Sequence, residues 1–235
     1  MAAKYWHRLG HERELWQQGI ERVAGVDEAG CGPLAGPVVA AAVIFPFSWS
    51  ESGLCTKLRG LNDSKQLTEE QREKYFAILT GMSEIHYAVA SVDVEMIDRI
   101  NIRQAAWRAM QIALDQLDPK PQHVLMDGLR VRWLVYPQTA FAQGDARSYS
   151  IAAASVLAKV TRDRLMLELD GLYPEYGFAA HKGYATPQHL AAIEKHGPCP
   201  IHRRTFSPFR PVAIEGELFP TLNADQRATN INTVR

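Results

Sequence analysis

Two adjacent acids, Asp27 and Glu28, interrupt a stretch that is otherwise small and apolar. It reads Gly25-Val26-Asp27-Glu28-Ala29-Gly30-Cys31-Gly32-Pro33 and is soon followed by the run Val38 to Phe45. An unpaired carboxylate is very costly to bury, so a partner is expected there, and a divalent cation is a natural one. Two further acids close strand-like segments: Asp127 after Val124-Leu125-Met126, and Asp145 in Gln143-Gly144-Asp145. Four such carboxylates suggest a magnesium or manganese site, because hard cations of this kind take carboxylates together with substrate phosphates. Each acid alone has a plainer reading as a solvated turn, and Asp127-Gly128 is a common turn dipeptide. The four contexts together are harder to dismiss. Neighbouring side chains on an ideal strand point to opposite faces. Asp27 and Glu28 therefore both reach one ion only if the strand ends or bulges, and Ala29-Gly30-Cys31-Gly32 offers such a break. Otherwise one of the two faces something else. Asp27 is the expected central ligand.

The elements that would hold these acids follow from periodicity. Residues 1–20 read as a short amphipathic helix with Tyr5, Trp6, Leu9 and Trp16 on one side. Val23 to Asp27 and Val38 to Phe45 are β-branched, apolar and bounded by Gly and Pro, hence strands. The Ser- and Gly-rich span from Phe47 to Asn62 reads as a loop. Thr68 with Gln71 fits a capping box ahead of an apolar helix face at Tyr75, Phe76, Ile78 and Leu79. Ile85 to Val92 alternates and reads as a third strand. Met96 to Leu117 is helical by period, with a break near Asn101, and Pro119 and Pro121 stop it. His123 to Met126 and Thr139 to Gln143 are short strands. Ile151 to Leu169 and Thr186 to Lys195 are helices, the latter with Pro187 in its first turn. Three strands in succession suggest an antiparallel meander, and the later strands suggest parallel crossovers, giving a mixed sheet with helices on both faces.

Bulk properties narrow the function. The chain has 235 residues, 46% of them apolar, and a formal net charge of zero. That suits one large domain or one with a small appendage, and it offers no global attraction for nucleic acid. Charge is uneven, however. Between His181 and Pro211, Lys182, Lys195, Arg203, Arg204 and Arg210 face the single acid Glu194, with His181, His189, His196 and His202 among them. A solvated basic surface is the plain reading; beside an acidic metal site it gains weight as a phosphate-binding rim. Cys31, Cys55 and Cys199 show no metal-ligand spacing, and a reduced cytoplasmic protein is the simplest reading. The polar, charged N-terminus does not resemble a signal peptide, and the apolar run Leu34 to Phe47 is too short to span a bilayer, so no membrane association is expected.

The ordered motifs resemble those of the ribonuclease HII family, the type 2 ribonucleases H. The resemblance runs over roughly residues 20–212. It rests on Gly25 to Gly30, Leu61-Asn62-Asp63-Ser64-Lys65-Gln66-Leu67, Met126-Asp127-Gly128, Gly144-Asp145-Ala146-Arg147, Ile151 to Asp163, Tyr176-Gly177-Phe178, His181-Lys182-Gly183-Tyr184 and His202-Arg203-Arg204-Thr205-Phe206. It implies an α/β fold of the ribonuclease H type, with a mixed five-stranded sheet flanked by helices and a helical C-terminal extension. Residues 1–212 would form one catalytic domain, its C-terminal helical part at about 165–212, and residues 213–235 a flexible tail. The family's catalytic and metal-holding acids fall on Asp27, Glu28, Asp127 and Asp145. The implied reaction is hydrolysis of the phosphodiester 5′ of a ribonucleotide, in RNA/DNA hybrids or in duplex DNA containing ribonucleotides, with two Mg2+ or Mn2+ ions about 4 Å apart. A monomer is expected.

Selecting RNA requires sensing the 2′-hydroxyl. In the family a Gly-Arg-Gly segment and a stacking tyrosine do this, which places the role on Gly30, Cys31, Gly32 and Tyr184. Phosphate contacts fall on Lys65 and on Ser155 with Lys159, which share a helix face; Lys182 lies beside Tyr184, and Arg203 and Arg204 would extend the basic rim. Plainer readings are a core aromatic for Tyr184, helix packing for Ser155 and a surface charge for Lys65. Glu217-Leu218-Phe219-Pro220 is a candidate docking motif for a sliding clamp, against the default of a disordered tail. Two other readings compete: a ribonuclease H-fold nuclease acting on DNA, such as an integrase or resolvase, and a catalytically silent nucleic-acid-binding relative. Type 3 enzymes usually carry an added N-terminal domain, whereas the acidic motif here begins 26 residues in. Cys31 departs from the family arginine and forfeits a charged contact. Cys31→Arg is therefore expected to tighten substrate binding and to steepen its salt dependence by about one unit in the log–log slope; titration of a labelled hybrid at several salt concentrations checks both, and no change in either contradicts the reading.

Overall fold

The computed structural model describes residues 7–132 and 134–209. After a single 3-10 turn at His7–Leu9 come helix α1 (Gly10–Gln17), strands β1 (Val23–Ala29) and β2 (Val38–Ile44), a short helix α2 (Trp49–Ser52) and helix α3 (Glu69–Gly81). Strand β3 (His86–Val92), helices α4 (Val94–Ile100) and α5 (Ile102–Gln116), and strands β4 (His123–Asp127) and β5 (Gln138–Phe141) follow. A short helix α6 (Gly144–Arg147) leads into the long helix α7 (Tyr149–Leu172), and α8 (Phe178–His181) and α9 (Pro187–His196) complete the described chain.

The five strands form one sheet in the order β3-β2-β1-β4-β5. β1, β2 and β3 pair antiparallel, and β4 joins β1 and β5 in parallel. Strands laid on one side of β1 first, and on the other side later, make the β1–β4 junction the point where the connections part. In open α/β sheets that point, at the carboxyl ends of the parallel strands, is where a crevice opens.

Two apolar layers sandwich the sheet. On one face, Val23 of β1 and Val39, Ala41 and Val43 of β2 pack with Ile151, Val156, Leu157 and Val160 of α7. On the other, Ala24, Val26, Val38 and Ala40 pack with Ala105, Ala109, Ala113 and Leu114 of α5. β2 is buried along its whole length, which explains its unbroken apolar run. The third cluster, with Met166, Tyr176, Phe178, Ile193 and Cys199, knits the C-terminal helices to Leu34 and Ala35.

Local chemistry sets the boundaries. Thr68 and Gln71 form the expected reciprocal cap of α3. The break near Asn101 is real: Asn101 takes a left-handed φ of 72° and its side chain caps α5 by accepting from the Gln104 amide. The span expected to be a loop between Phe47 and Asn62 instead contains α2 and a 3-10 turn, because Trp49 and Leu58 have core to enter. The strand expected over Thr139 to Gln143 ends at Phe141, so Asp145 sits in the first turn of α6. Of the expected N-terminal helix, α1 is observed. Tyr5, Trp6, the segment after Val212 and Glu217-Leu218-Phe219-Pro220 lie outside the described residues.

β1 crosses α7 at Gly25, where a Cβ would lie 2.2 Å from the Ser150 carbonyl carbon and 2.3 Å from the Ile151 amide nitrogen. Both are backbone atoms of a packed helix and cannot step aside. Gly25→Ala is expected to lower unfolding free energy by about 3 kcal/mol or more, measured by urea denaturation; a loss below about 1 kcal/mol would mean that α7 slides freely on the sheet.

Candidate active site

The acids gather where β1 and β4 part. The parallel ladder ends at the pair Val26 and Met126, so Asp27 and Asp127 are the next residues on either side of the opening. No bulge intervenes in β1, whose register with β2 runs unbroken from Ala24 to Ala29. Alternation therefore holds through the acidic pair. Asp27 shares the α7 face with Val23 and Gly25, whereas Glu28 points to the α5 face, beside a cavity of about 340 Å³ lined also by Cys31, Ile102, Arg103, Trp107 and Asp127. The anticipated break does not occur, and the pair straddles the end of the sheet.

Asp127 is tied to the segment bearing Asp145, since its Oδ1 accepts the Gly144 amide at 2.8 Å. Gly144 is packed so closely that a Cβ there would lie 2.8 Å from the Ile151 side chain and 3.2 Å from the Asp127 Cα. The acids feel one another's charge. Burial, then the charge of Glu28, with further repulsion from Asp145 and Asp127, pushes the Asp27 carboxyl well above the usual range. Burial and Asp127 raise Glu28, although a Cys31 thiol contact opposes them. Burial, Asp63 and Asp127 raise Asp145. Lys65 lies within range of Asp63, Asp27, Asp145 and Glu28, and these acids together overcome its partial burial and raise its pKa.

The remaining expected residues separate into distinct groups. Ser155 is buried, its Oγ donating to Ser64 Oγ at 2.8 Å and accepting the Ser64 amide at 3.2 Å. It thus pins the Asp63-Ser64-Lys65 turn to α7. Lys159 is paired with Asp163 at 2.7 Å. Lys182 donates to the Ala179 carbonyl. Cys31 places its Sγ 3.6 Å from Glu28 Oε1, and burial with the Glu28 charge pushes the thiol up to about 12, so it stays protonated. Tyr184 is 45% exposed, and a Cβ on exposed Gly32 would meet its ring at 3.7 Å. Gly30 has φ of 101°, and its missing side chain makes room for an internal group, Arg162, whose Nε lies 2.2 Å from where a Cβ would be.

Arg203 needs correction as a rim residue, whereas Arg204 is exposed. Arg203 is fully buried and donates to the carbonyls of Gly30 (2.6 Å), Cys31 (3.2 Å) and Gly36 (2.8 Å). Arg162, equally buried, donates to Pro37, Lys182 and Ala35. Both guanidiniums grip the inner side of the loop over residues 30–37. Three of the four histidines are also internal. The Cys199 amide donates to His202 Nδ1 (3.0 Å), so His202 carries its proton on Nε2 and donates it to His189 Nε2 (3.0 Å). His189 Nδ1 then donates to the Tyr184 carbonyl at 2.9 Å. Burial and His189 hold His202 down to about 4, so this relay is neutral. A run of basic letters looks alike whether its members are solvated or buried, and no periodic signal distinguished them.

Sequence reasoning also missed Arg8, Glu12 and Asp63. Arg8 Nη2 reaches the Asp145 carbonyl at 2.5 Å, and Asp63 adds charge beside Asp145. Their positions in an amphipathic helix and a polar turn carried no signal beyond a solvated face.

Comparison with known structures gives the class. The chain superposes on the ribonuclease H2 crystal structure from Pyrococcus horikoshii with a TM-score of 0.66 and 34% identity, over 80% of this chain and 95% of that one. It matches the ribonuclease HII in the PCNA:RNase HII complex from Archaeoglobus fulgidus with a TM-score of 0.63 and 25% identity, over 77% of this chain and 93% of that one. The protein is an endonuclease with the ribonuclease H fold. A family model described as Ribonuclease HII matches residues 24–208. Ribonuclease HII of Ruminiclostridium cellulolyticum is 52% identical over 198 residues, covering 84% of this chain and 74% of that protein. The chain belongs to the ribonuclease HII family, and it is a hydrolase acting on RNA/DNA.

A carboxyl raised by burial and like charge stabilises the fold below its unfolded value of 3.8 and loses that contribution as pH rises toward its native value. Asp27→Asn removes the charge at nearly constant shape. In chelator the variant is expected to melt above the parent by a few degrees at pH 7, with the gap closing as pH falls toward 3.8. Calorimetric melting checks this, and a lower melting point for the variant at pH 7 would contradict the repulsion.

Proposed function

We propose that Asp27, Glu28, Asp127 and Asp145 carry a metal-dependent hydrolysis of the phosphodiester on the 5′ side of a ribonucleotide, in RNA/DNA hybrids and at single ribonucleotides embedded in duplex DNA. The observation that carries this is the placement of Asp27 and Asp127 as the first residues beyond the parallel β1–β4 ladder, with the Gly144 amide tying the Asp145 turn to Asp127. The donor set is all carboxylate oxygen, the preference of Mg2+ and Mn2+. Among the described residues no three acid, imidazole or thiol groups stand close enough to hold an ion alone. That fits a magnesium-like ion, which is held by one or two carboxylates and completes its shell with water and substrate phosphate. Asp27 with one of Asp127 and Asp145 would hold it on the α7 side, the other acting through bound water, and Glu28 would act from the α5 side. Bound there, two such ions would supply an activated water and neutralise charge at the leaving 3′-oxygen.

The chain's own residues would do the rest. Arg162 and Arg203 draw in the carbonyls of Gly30, Cys31 and their neighbours, which supports a loop presenting Gly30-Cys31-Gly32 backbone to a 2′-hydroxyl. Tyr184, held at its carbonyl by His189 and close to Gly32, would stack on the next sugar. Lys65 would meet a phosphate, with Ser155 anchoring its turn. Lys159 and Lys182 stand further along as weaker backbone contacts. We read residues 1–212 as one catalytic unit, because the third apolar cluster ties the C-terminal helices to Leu34 and Ala35 beside the loop. The three cysteines are free, which suits a monomer in the reducing cytoplasm. No helix among the described residues is long and apolar enough to cross a membrane. The Archaeoglobus relative was solved with PCNA, which supports proposing Glu217-Leu218-Phe219-Pro220 as a clamp-docking motif in this chain.

One gel tests the reading: duplex DNA containing a single ribonucleotide, incubated with Mg2+, Mn2+ or chelator, beside Asp127→Asn and an all-DNA duplex. A single cut 5′ of the ribonucleotide is expected, absent with chelator and reduced at least about a thousandfold in the variant. Cleavage of the all-DNA duplex would favour a DNA nuclease of the same fold, and tight binding without cleavage would favour a silent relative.

A further inference from the structure

We propose that Arg8 and Glu12, which precede the matched family region, are positioning residues that set the backbone of the Asp145 turn and the Lys65 turn against the metal-holding site. The inference rests on the reading of Asp145 as a metal-holding carboxylate.

Asp145 lies on a four-residue helix, too short to hold its own place. Its entry is a left-handed Gln143, with φ of 58°, and a Gly144 amide bound to Asp127. What fixes the rest of the turn comes from the N-terminus. Arg8 Nη2 donates to the Asp145 carbonyl at 2.5 Å, while Nη1 donates to the Leu61 carbonyl at 2.7 Å. One planar guanidinium thus joins the turn carrying the fourth acid to the segment leading into Asp63-Ser64-Lys65. Its plane lies over the Tyr149 ring, 4.7 Å from the centroid, which limits its tilt.

One helical turn later, Glu12 grips the far side of the same segment. It is wholly buried, and its Oε1 accepts from Ser148 Oγ (2.6 Å), the Ser150 amide (3.0 Å) and Ser150 Oγ (2.7 Å). Ser148 is the N-cap of α7, accepting from the Ile151 amide, and directly follows α6. Residues 145–150 are therefore held by a cation at a carbonyl and by an anion at an amide and two hydroxyls. Arg8 feels the charges of both Asp145 and Glu12. Anchoring α1 does not require these polar residues, because Leu9 and Trp16 already bury its apolar side. Buried charge is costly to keep, the more so as Arg8 Nε and Glu12 Oε2 are buried without a hydrogen-bond partner among the described residues. Here the geometry ends on the backbone of the two turns that border the acids.

The test uses the full-length protein and five variants: Arg8→Met, Arg8→Lys, Glu12→Gln, Asp145→Asn and, as a stability control, Leu9→Ala. The readouts are calorimetric Mn2+ titration without substrate, amide hydrogen exchange over residues 143–150 and 61–66, melting temperature, and kcat against KM on a single-ribonucleotide duplex. Arg8→Met is expected to weaken Mn2+ binding about tenfold, to speed exchange in both segments and to lower kcat more than it raises KM. Arg8→Lys, which keeps the charge but not the fork, should recover part of this, and Glu12→Gln should speed exchange at 148–150. Leu9→Ala should lower the melting temperature with Mn2+ affinity unchanged. If the Arg8 variants merely melt earlier, with Mn2+ affinity and exchange as in the parent, the proposal is overturned and α1 is a structural brace. If Asp145→Asn retains parental Mn2+ affinity and cleavage, the reading of Asp145 fails instead, and the bracket has no site to serve.

Discussion

Like charge crowded at the carboxyl end of the central parallel strand pair is the constraint to which the surrounding structure responds. Asp27, Glu28, Asp127 and Asp145 repel one another in a partly buried place, where repulsion is felt more strongly than in water. A fold selected only for stability would not hold them there. The sheet around them is correspondingly rigid: β2 is buried end to end, Gly25 lets α7 pack on the β1 backbone, and Asp127 is tied to the Gly144 amide. Repulsion that side chains cannot relax by moving apart remains available to a cation or a metal-bound phosphate.

A second layer of the design lies behind the loop between β1 and β2. Arg162 and Arg203 are buried with donors spent on backbone carbonyls, and no carboxylate is hydrogen-bonded to either among the described residues. Two guanidiniums share this space, and burial with their mutual repulsion lowers the pKa of Arg203 to about 9. The carbonyls of Gly30, Cys31, Gly36 and Pro37 are thereby committed to these two guanidiniums. Alongside, the neutral chain from Cys199 through His202 and His189 to the Tyr184 carbonyl fixes an exposed aromatic from within. Cys31, whose thiol remains protonated, contributes neither charge nor nucleophile to this surface.

Much of this was legible from residue order alone. Apolar runs bounded by Gly and Pro located the central strands, alternation located β3, and composition with the 3.6 period located the long helices, because each pattern reports burial. The Thr68–Gln71 cap and the break at Asn101 were legible because they depend on neighbours three residues apart. The acids stood out because carboxylates are rare beside such apolar runs. The misreadings share a cause. The end of β5, the turns between Phe47 and Asn62, and the burial of Arg203 and three histidines depend on contacts from distant parts of the chain.

Residue order by itself determined the strands, the main helices and the membership of the family, and it singled out four acids as candidates, since these reside in local pattern and in motifs. Only the tertiary structure decided that Asp27 and Glu28 face opposite sides of an unbroken strand, that Arg203 and three histidines of the basic stretch turn inward, and that Arg8 and Glu12 reach the Asp145 turn. Pleat alternation is a local rule, but which side meets a helix and which meets a cavity is set by packing. A guanidinium reaching across 137 residues to a backbone carbonyl leaves no mark in any window of sequence, because the carbonyl is common to every residue.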